Sequence, residues 1–425
     1  MKYLLTFPVV LLFPFLLNAQ LEEKVYMENI RSVQLHFKGN QLGFPLIRLH
    51  TGEQLELHFD DLDGGIKNYS YTFQLCNADW TPAIISSFDY IRGFTQNRIT
   101  QYRVSNYALT KYTHYQAEFP DRNMMPTRSG NYLLKVFENG DTSKLLFTKK
   151  FLVVEDKSGI RADIQQPFTG GMFRTHQKVM VEVTLNQNLN IPNPHQQIKL
   201  VILQNGQWTT SRLIHRPSFV NRNVLQYNNE QELSFPGSKE WRWADLRSFR
   251  FLSEKIANAR KLPEGYEIFL HPETPRKDLR FNFYRDINGK YTLENTENLN
   301  PYLQGDYAIV HFSLIPTPDI QQPGKEVYIF GELTGYRLSP EAKMEYDSED
   351  GLYKASLKLK QGYYDYQYVV ADREGNISFE ETEGSLWETE NDYLILVYYR
   401  NLSGRADELI GVRRINSQTG RRSDL

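Results

Sequence analysis

The sequence predicts an all-β protein built from tandem β-sandwiches, and three observations carry that expectation. Aromatic residues form 13% of the 425-residue chain, through 27 Tyr and 25 Phe, and such broad side chains favour the pleated face of a sheet. Short runs alternate apolar with polar residues, the period of a half-buried strand. Asn139-Gly140, Asn205-Gly206, Asn288-Gly289 and Asp350-Gly351 punctuate these runs, and such pairs mark tight turns. Helix is scarce; Ser253 to Arg260 is the best short stretch for one. The chain is too long for one hydrophobic core, so several domains are expected.

Residues 1–19 read as a secretory signal peptide. Met1-Lys2 gives the positive start, Leu4 to Leu17 is almost wholly apolar, and Asn18-Ala19-Gln20 offers a small-residue cleavage site. The apolar run is too short to span a bilayer. Position 20 is Gln, not Cys, so no lipoprotein anchor is expected. No later run approaches spanning length, so the mature chain is expected to be exported without direct membrane insertion.

Three strand-rich blocks follow. In the first, 20–157, Gln54 to Phe59 alternates cleanly. Tyr69, Tyr71, Phe73 and Leu75 share one face of the next strand, with Ser70, Thr72, Gln74 and Cys76 on the other. Gly130 to Phe137 leads into Asn139-Gly140, and Phe151 to Val154 closes the block. In the second, 158–316, Val179, Val181, Val183 and Leu185 alternate, Ile198 to Leu203 ends at Asn205-Gly206, and Trp241 and Trp243 point one way. Leu279, Phe281 and Phe283 then precede Asn288-Gly289, Tyr291 and Leu293 return, and Tyr307 to Leu314 finishes it. Pro316, Pro318 and Pro323 suggest a linker, because proline cannot donate to a sheet ladder. The third, 317–400, holds Val327 to Phe330, Tyr353 to Leu359, Tyr364 to Val370 and Tyr393 to Tyr399, spaced like the strands of a sandwich. Residues 401–425 carry Arg405, Arg413, Arg414, Arg421 and Arg422 and read as a docking or disordered tail.

Charge excludes some partners and chemistry excludes others. Basic residues number 49 against 51 acidic, so nothing draws the chain toward nucleic acid. Cys76 is the only cysteine; no disulfide forms within the chain, and a strand-end thiol without chemical role is the expected reading. His50 and His58 flank one strand but lack a third partner, and HExxH is absent. Asp60, Asp61 and Asp63 gather hard oxygen ligands but lack the alternation of a calcium loop, as does Asp286 to Gly289. No nucleophile elbow, P-loop or GxGxxG occurs. The expectation is a protein that is not an enzyme, with no catalytic residue, metal or cofactor.

Trp80, Phe88, Tyr90 and Phe94 lie in a stretch without strand periodicity. Buried, they complete the first core; exposed, they are the candidate partner interface.

Phe59-Asp60-Asp61-Leu62, Cys76-Asn77-Ala78-Asp79-Trp80, Gly93-Phe94, Tyr112 to Tyr115 and Ser129-Gly130-Asn131-Tyr132 follow one another in the first block. Asp286 to Gly289, Asp306-Tyr307, Asn391-Asp392-Tyr393 and Tyr398-Tyr399-Arg400 continue the order. This series resembles the Plug proteins of the type 9 secretion system of Bacteroidota. The resemblance implies a periplasmic protein that closes the periplasmic mouth of the outer-membrane β-barrel translocon when no cargo is passing. It hands over no contact residues. The third block, through Val327 to Thr334, Met344, Gly351 to Tyr353 and Gly362 to Tyr368, also resembles the Ig-like early-set sandwiches related to glycogen-binding modules. Glycan binding is therefore the alternative function, but Tyr336 stands where such modules carry one of a tryptophan pair.

Overall fold

A computed structural model describes residues 21–419, apart from 187, 190, 298 and 299. The expected signal peptide, and Arg421 and Arg422, lie outside the described residues. The protein is all-β, as predicted; its α-helices, Pro194–Gln197, Glu230–Leu233 and Pro301–Gln304, are single turns.

Four sheets are stacked as layers, and alternation along the strands builds the stack. The first layer orders Ile30–Phe37, Leu55–Asp61, Thr113–Phe119 and Gln101–Val104; the second centres on Tyr69–Cys76, Gly130–Glu138 and Leu145–Val154. Leu55, Leu57 and Phe59 meet Tyr71, Phe73, Tyr132 and Leu134 between these layers. The next residue along, Leu133, points the other way, into a core shared with Val201, Leu203, Leu394, Leu396 and Tyr398. Those belong to the third layer, Arg212–Ile214, Ile198–Gln204, Asp392–Tyr399 and Glu408–Asn416. Leu200, Ile202, Ile395 and Val397 alternate with them and face Val179, Val181 and Leu225 of the fourth layer. Near-continuous apolar strands such as Tyr132 to Phe137 and Tyr393 to Tyr399 are therefore buried on both faces. The expected hairpin at Asn139-Gly140 forms with both residues at positive φ, 52° and 73°.

A further body lies beside this stack. Its sheet runs from Arg242–Asp245 through Tyr363–Ala371, Glu326–Phe330, Lys343–Asp347, Leu352–Lys360, Tyr307–Leu314 and Gly265–Leu270 to Ile256–Leu262. Its core gathers Trp241, Ile268, Phe312, Ile329, Leu357 and Tyr366.

The structure corrects the expected boundaries after residue 157. Tyr393 to Tyr399 does not end the third block; Asp392–Tyr399 pairs antiparallel with Ile198–Gln204. The second sandwich is thus discontinuous, drawn from about 158–236 and 391–417, and the third body is inserted between. The proline stretch near 316 is no boundary either: Tyr307–Leu314 pairs with Leu352–Lys360 across it, and Ile320 lies in the third body's core. The expected tail forms the strand Glu408–Asn416, with Leu409 and Ile410 buried on opposite faces. Ser253 to Arg260 is not helical; Ile256–Leu262 is an edge strand paired with Gly265–Leu270. Leu279, Phe281 and Phe283 belong to no strand and are exposed. In each case local pattern shows strand or polar character, while the long-range partner sets membership.

Ending the chain at Tyr399 is expected to abolish cooperative unfolding of the second sandwich, because it strips one edge of the third layer. Leu409→Ala should cost about 3 kcal/mol, the usual range for a leucine lost from a packed core. Urea unfolding followed by circular dichroism checks both.

Candidate functional site

Alternation along Leu55–Asp61 sends Leu55, Leu57 and Phe59 into the first core and Glu56, His58 and Asp60 to the outer face. A half-buried strand would leave that outer face wet. Here the third body covers it, so His58 and Asp60 are buried as well. Lys360 reaches across and sets its Nζ 2.7 Å from Asp60 Oδ2. Tyr307 Oη donates to the same oxygen at 2.6 Å and meets Ser32 Oγ at 2.7 Å. His114 Nδ1 holds Asp60 Oδ1 at 2.7 Å, His58 Nδ1 lies 3.1 Å from His114 Nε2, and the Tyr302 ring stacks on His58 at 4.1 Å. Burial alone would raise the Asp60 carboxyl, but Lys360 and His114 outweigh it and hold it below the usual carboxylate range. Beside this pair the Asp306 carboxylate accepts from the backbone N–H groups of Leu109 and Thr110 at 2.8 and 3.1 Å. Asp61, the neighbouring acid, is satisfied by Asn29, Tyr69 and Lys67. The acidic run 60–63 thus serves internal pairing.

A second joint ties the first sandwich to the second. Tyr398 Oη donates to Asn131 Oδ1 at 2.6 Å, and Asn131 Nδ2 donates to the Asn77 carbonyl at 3.0 Å. Asp407 accepts from the Ala78 N–H at 2.9 Å, from Lys199 at 2.9 Å and from Arg400 Nε at 2.7 Å; Arg400 also reaches Asn77 Oδ1 at 2.6 Å. Gly130 sits at φ +146°, where a side chain would be strained, and a Cβ would be crowded 3.1 Å from the Asp407 carbonyl. Cys76 is buried in this joint, and burial pushes its thiol up to about 12, consistent with a structural role. Asn391 forms a third joint where the chain crosses back, bonding the Gly237 carbonyl at 2.9 Å and accepting from Asn205 Nδ2 at 2.8 Å.

The four aromatics of the candidate interface separate. Trp80 is 2% exposed, edge-on to Trp208 at 4.7 Å with Lys150 over its face. Tyr90 is 6% exposed and donates to the Phe73 carbonyl. Both are core, which corrects their assignment to a partner surface. Phe88 and Phe94 are 80% and 67% exposed, with Ile84 exposed nearby in sequence. Gly93 fixes this end: at φ +99° a Cβ would strike the Asn123 carbonyl at 2.1 Å, and that carbonyl accepts from the Phe94 N–H. Strand periodicity was too weak to sort these residues.

A cleft of about 450 Å³ lies where the three bodies meet, lined by Phe44, Lys150, Trp208, Glu332, Tyr336 and Arg337. Tyr336 is committed internally, packing on Trp241 and Phe330 and donating to the Gly289 carbonyl at 3.0 Å. It offers no free platform for sugar stacking. Sequence reasoning missed Lys360 and Tyr302 because nothing local distinguishes a lysine or tyrosine that will be buried against another domain. Asp306-Tyr307 and the Asn77, Asn131 and Arg400 segments were visible as motifs, without the reason for them.

Residues 30–155 match the family model described as the type 9 secretion system plug protein 1st domain. The crystal structure of a hypothetical protein from Parabacteroides merdae ATCC 43184 is similar over 94% of this chain and 100% of that one, with a TM-score of 0.89 at 28% identity. Dimeric latent PorU from Porphyromonas gingivalis aligns over 91% of this chain and 34% of its own at 10% identity; its TM-score of 0.16 supports no argument. No curated protein matches the chain.

Lys360→Ala strands a buried carboxylate and should cost about 3–5 kcal/mol in urea unfolding. Burial also holds His36, His58 and His114 below their ordinary 6.5, His58 down to about 2. The unfolded chain therefore takes up protons below 6.5 that the folded chain refuses. Stability is full above that value and falls as the pH is lowered toward 2, by on the order of 1.4 kcal/mol per pH unit for each histidine kept neutral. The slope measured between about pH 6 and pH 5 should shrink by one proton in His58→Gln.

Proposed function

We propose that this chain, whose first sandwich matches the type 9 secretion system plug protein 1st domain, seals the periplasmic mouth of that system's outer-membrane β-barrel translocon when no cargo passes. The family match over residues 30–155 carries the reading. A role in type 9 secretion follows from it; sealing is the finer step.

The architecture supports that step by its rigidity. A seal must keep its shape against a wide solvated opening, and here the first sandwich is joined to the third body through a buried ion pair and hydrogen bond and to the second sandwich through a buried hydrogen bond. The reading requires no chemistry: the chain acts by occupancy, and release shifts an equilibrium between sealed and open translocon. It acts in the periplasm, delivered there by the signal peptide read in residues 1–19. Among the described residues no helix is long and apolar enough to cross a membrane. Phe88 and Phe94, at the loop end of the first sandwich, are the contacts assigned to the barrel rim, since exposed aromatics anchor interfaces.

Pull-down from outer-membrane extracts should recover a very large β-barrel, and deletion of the gene should admit large antibiotics only while that barrel remains. Phe88→Ser with Phe94→Ser should reduce barrel recovery at least about tenfold, as hot-spot losses do, with the melting curve unchanged. Trp80→Ala should instead destabilise the fold by about 3–5 kcal/mol. Unchanged permeability in the deletion strain defeats the sealing role.

A further inference from the structure

We propose that His36, Glu56 and His58 form a binding site for one divalent transition-metal ion of zinc's class. Strand register brings them together. Ile30–Phe37 runs antiparallel to Leu55–Asp61 with His36 directly opposite Glu56. Glu56 and His58, two residues apart, share the outer face of their strand. One nitrogen of each histidine and one Glu56 oxygen all lie within 4.8 Å of one another, and His36 Nδ1 is 4.0 Å from Glu56 Oε2.

Hydrogen bonds have already set the tautomers for ligation. His36 Nδ1 is 3.0 Å from the Phe37 carbonyl, which can only accept; Nδ1 therefore carries the proton and Nε2 the lone pair. His36 is 3% exposed, and its Nε2 is buried with no hydrogen-bond partner among the described residues. Such an orphan calls for a ligand or ion. His58 is fixed by a longer chain. The ionised Asp60 accepts from His114 Nδ1, so His114 Nε2 accepts from His58 Nδ1 at 3.1 Å. That leaves His58 Nε2 with its lone pair, and no hydrogen bond to it occurs among the described residues. A carboxylate–histidine relay behind a ligating imidazole is the outer support that metal sites use. Burial lowers both imidazoles from their ordinary value, which favours the neutral form that binds metal.

Gln34 adds a second unexplained acceptor. It precedes His36 by two residues, lies opposite His58 in register, and its Oε1 is buried without a partner. Glu56 is only partly buried and gives access from solvent. Gly39 N–H holds one of its oxygens at 2.9 Å. Lys290 lies near enough to oppose protonation of His36; the same charge opposes a dication and is offset by Glu56. Two imidazoles with one carboxylate suit zinc and its neighbours over calcium or magnesium.

The mature full-length chain, stripped with chelator and dialysed, is titrated with Zn²⁺ by calorimetry and with Co²⁺ by visible absorption. The expected result is one saturable equivalent, with the ligand-field bands of a low-symmetry cobalt site. Glu56→Gln, at a partly exposed position that should not disturb folding, weakens Zn²⁺ binding at least about tenfold, the lower end of the loss for even an outer-shell partner. His36→Gln removes the cobalt bands, and His50→Gln, on an exposed turn, leaves binding unchanged. Absence of saturable binding by a chain that still melts cooperatively overturns the proposal, as does undiminished affinity in Glu56→Gln.

Discussion

Asp60 and Lys360 are opposite charges removed entirely from water, and that pair fixes how the third body sits on the first. A buried carboxylate tolerates its surroundings only when a countercharge and hydrogen bonds replace its hydration. Lys360, Tyr307 and His114 supply them, and two of the three come from a chain segment far along the sequence. Moving the third body would strand the charge, so the interface has little freedom. The histidine row, the Tyr302 stack and the orphan nitrogen of His36 all inherit their positions from that constraint.

The same logic recurs where the first sandwich meets the second. Asp407 gathers Lys199, Arg400 and the Ala78 N–H, while Asn131 links Tyr398 to the Asn77 turn. Polar networks of this kind specify one arrangement because a partly satisfied network is costly. They are flanked by an apolar core shared between two sheets. The chain has no disulfide to brace it, so burial and polar complementarity hold the bodies in register. That stiffness suits the sealing role proposed above, because elements that open or move must be weakly held.

The segments that carry the plug resemblance are largely these joints. Asn77, Ala78, Asn131, Asp306, Tyr307, Tyr398 and Arg400 each bond across bodies. A motif spread along the chain can therefore mark how domains dock as readily as where a partner binds. Trp80 illustrates the point: its prominence in sequence reflects burial against Trp208, and the exposed Phe88 and Phe94 had no stronger local signal.

Period-two alternation and Asn-Gly turns were enough to determine the strands of the first sandwich, its Asn139-Gly140 hairpin and the all-β class, because side-chain direction and turn chemistry are local. Alternation also put Glu56, His58 and Asp60 on one face of a strand. Whether that face met water or another domain lay beyond any local rule. Tertiary structure decided it by laying Lys360 and Tyr302 over the face, and it paired Asp392–Tyr399 with Ile198–Gln204 and turned an arginine-bearing terminus into a strand. Those outcomes depend on contacts between residues hundreds of positions apart, selected by shape and by the need to satisfy buried charge, and no stretch of sequence carries both halves of such a contact.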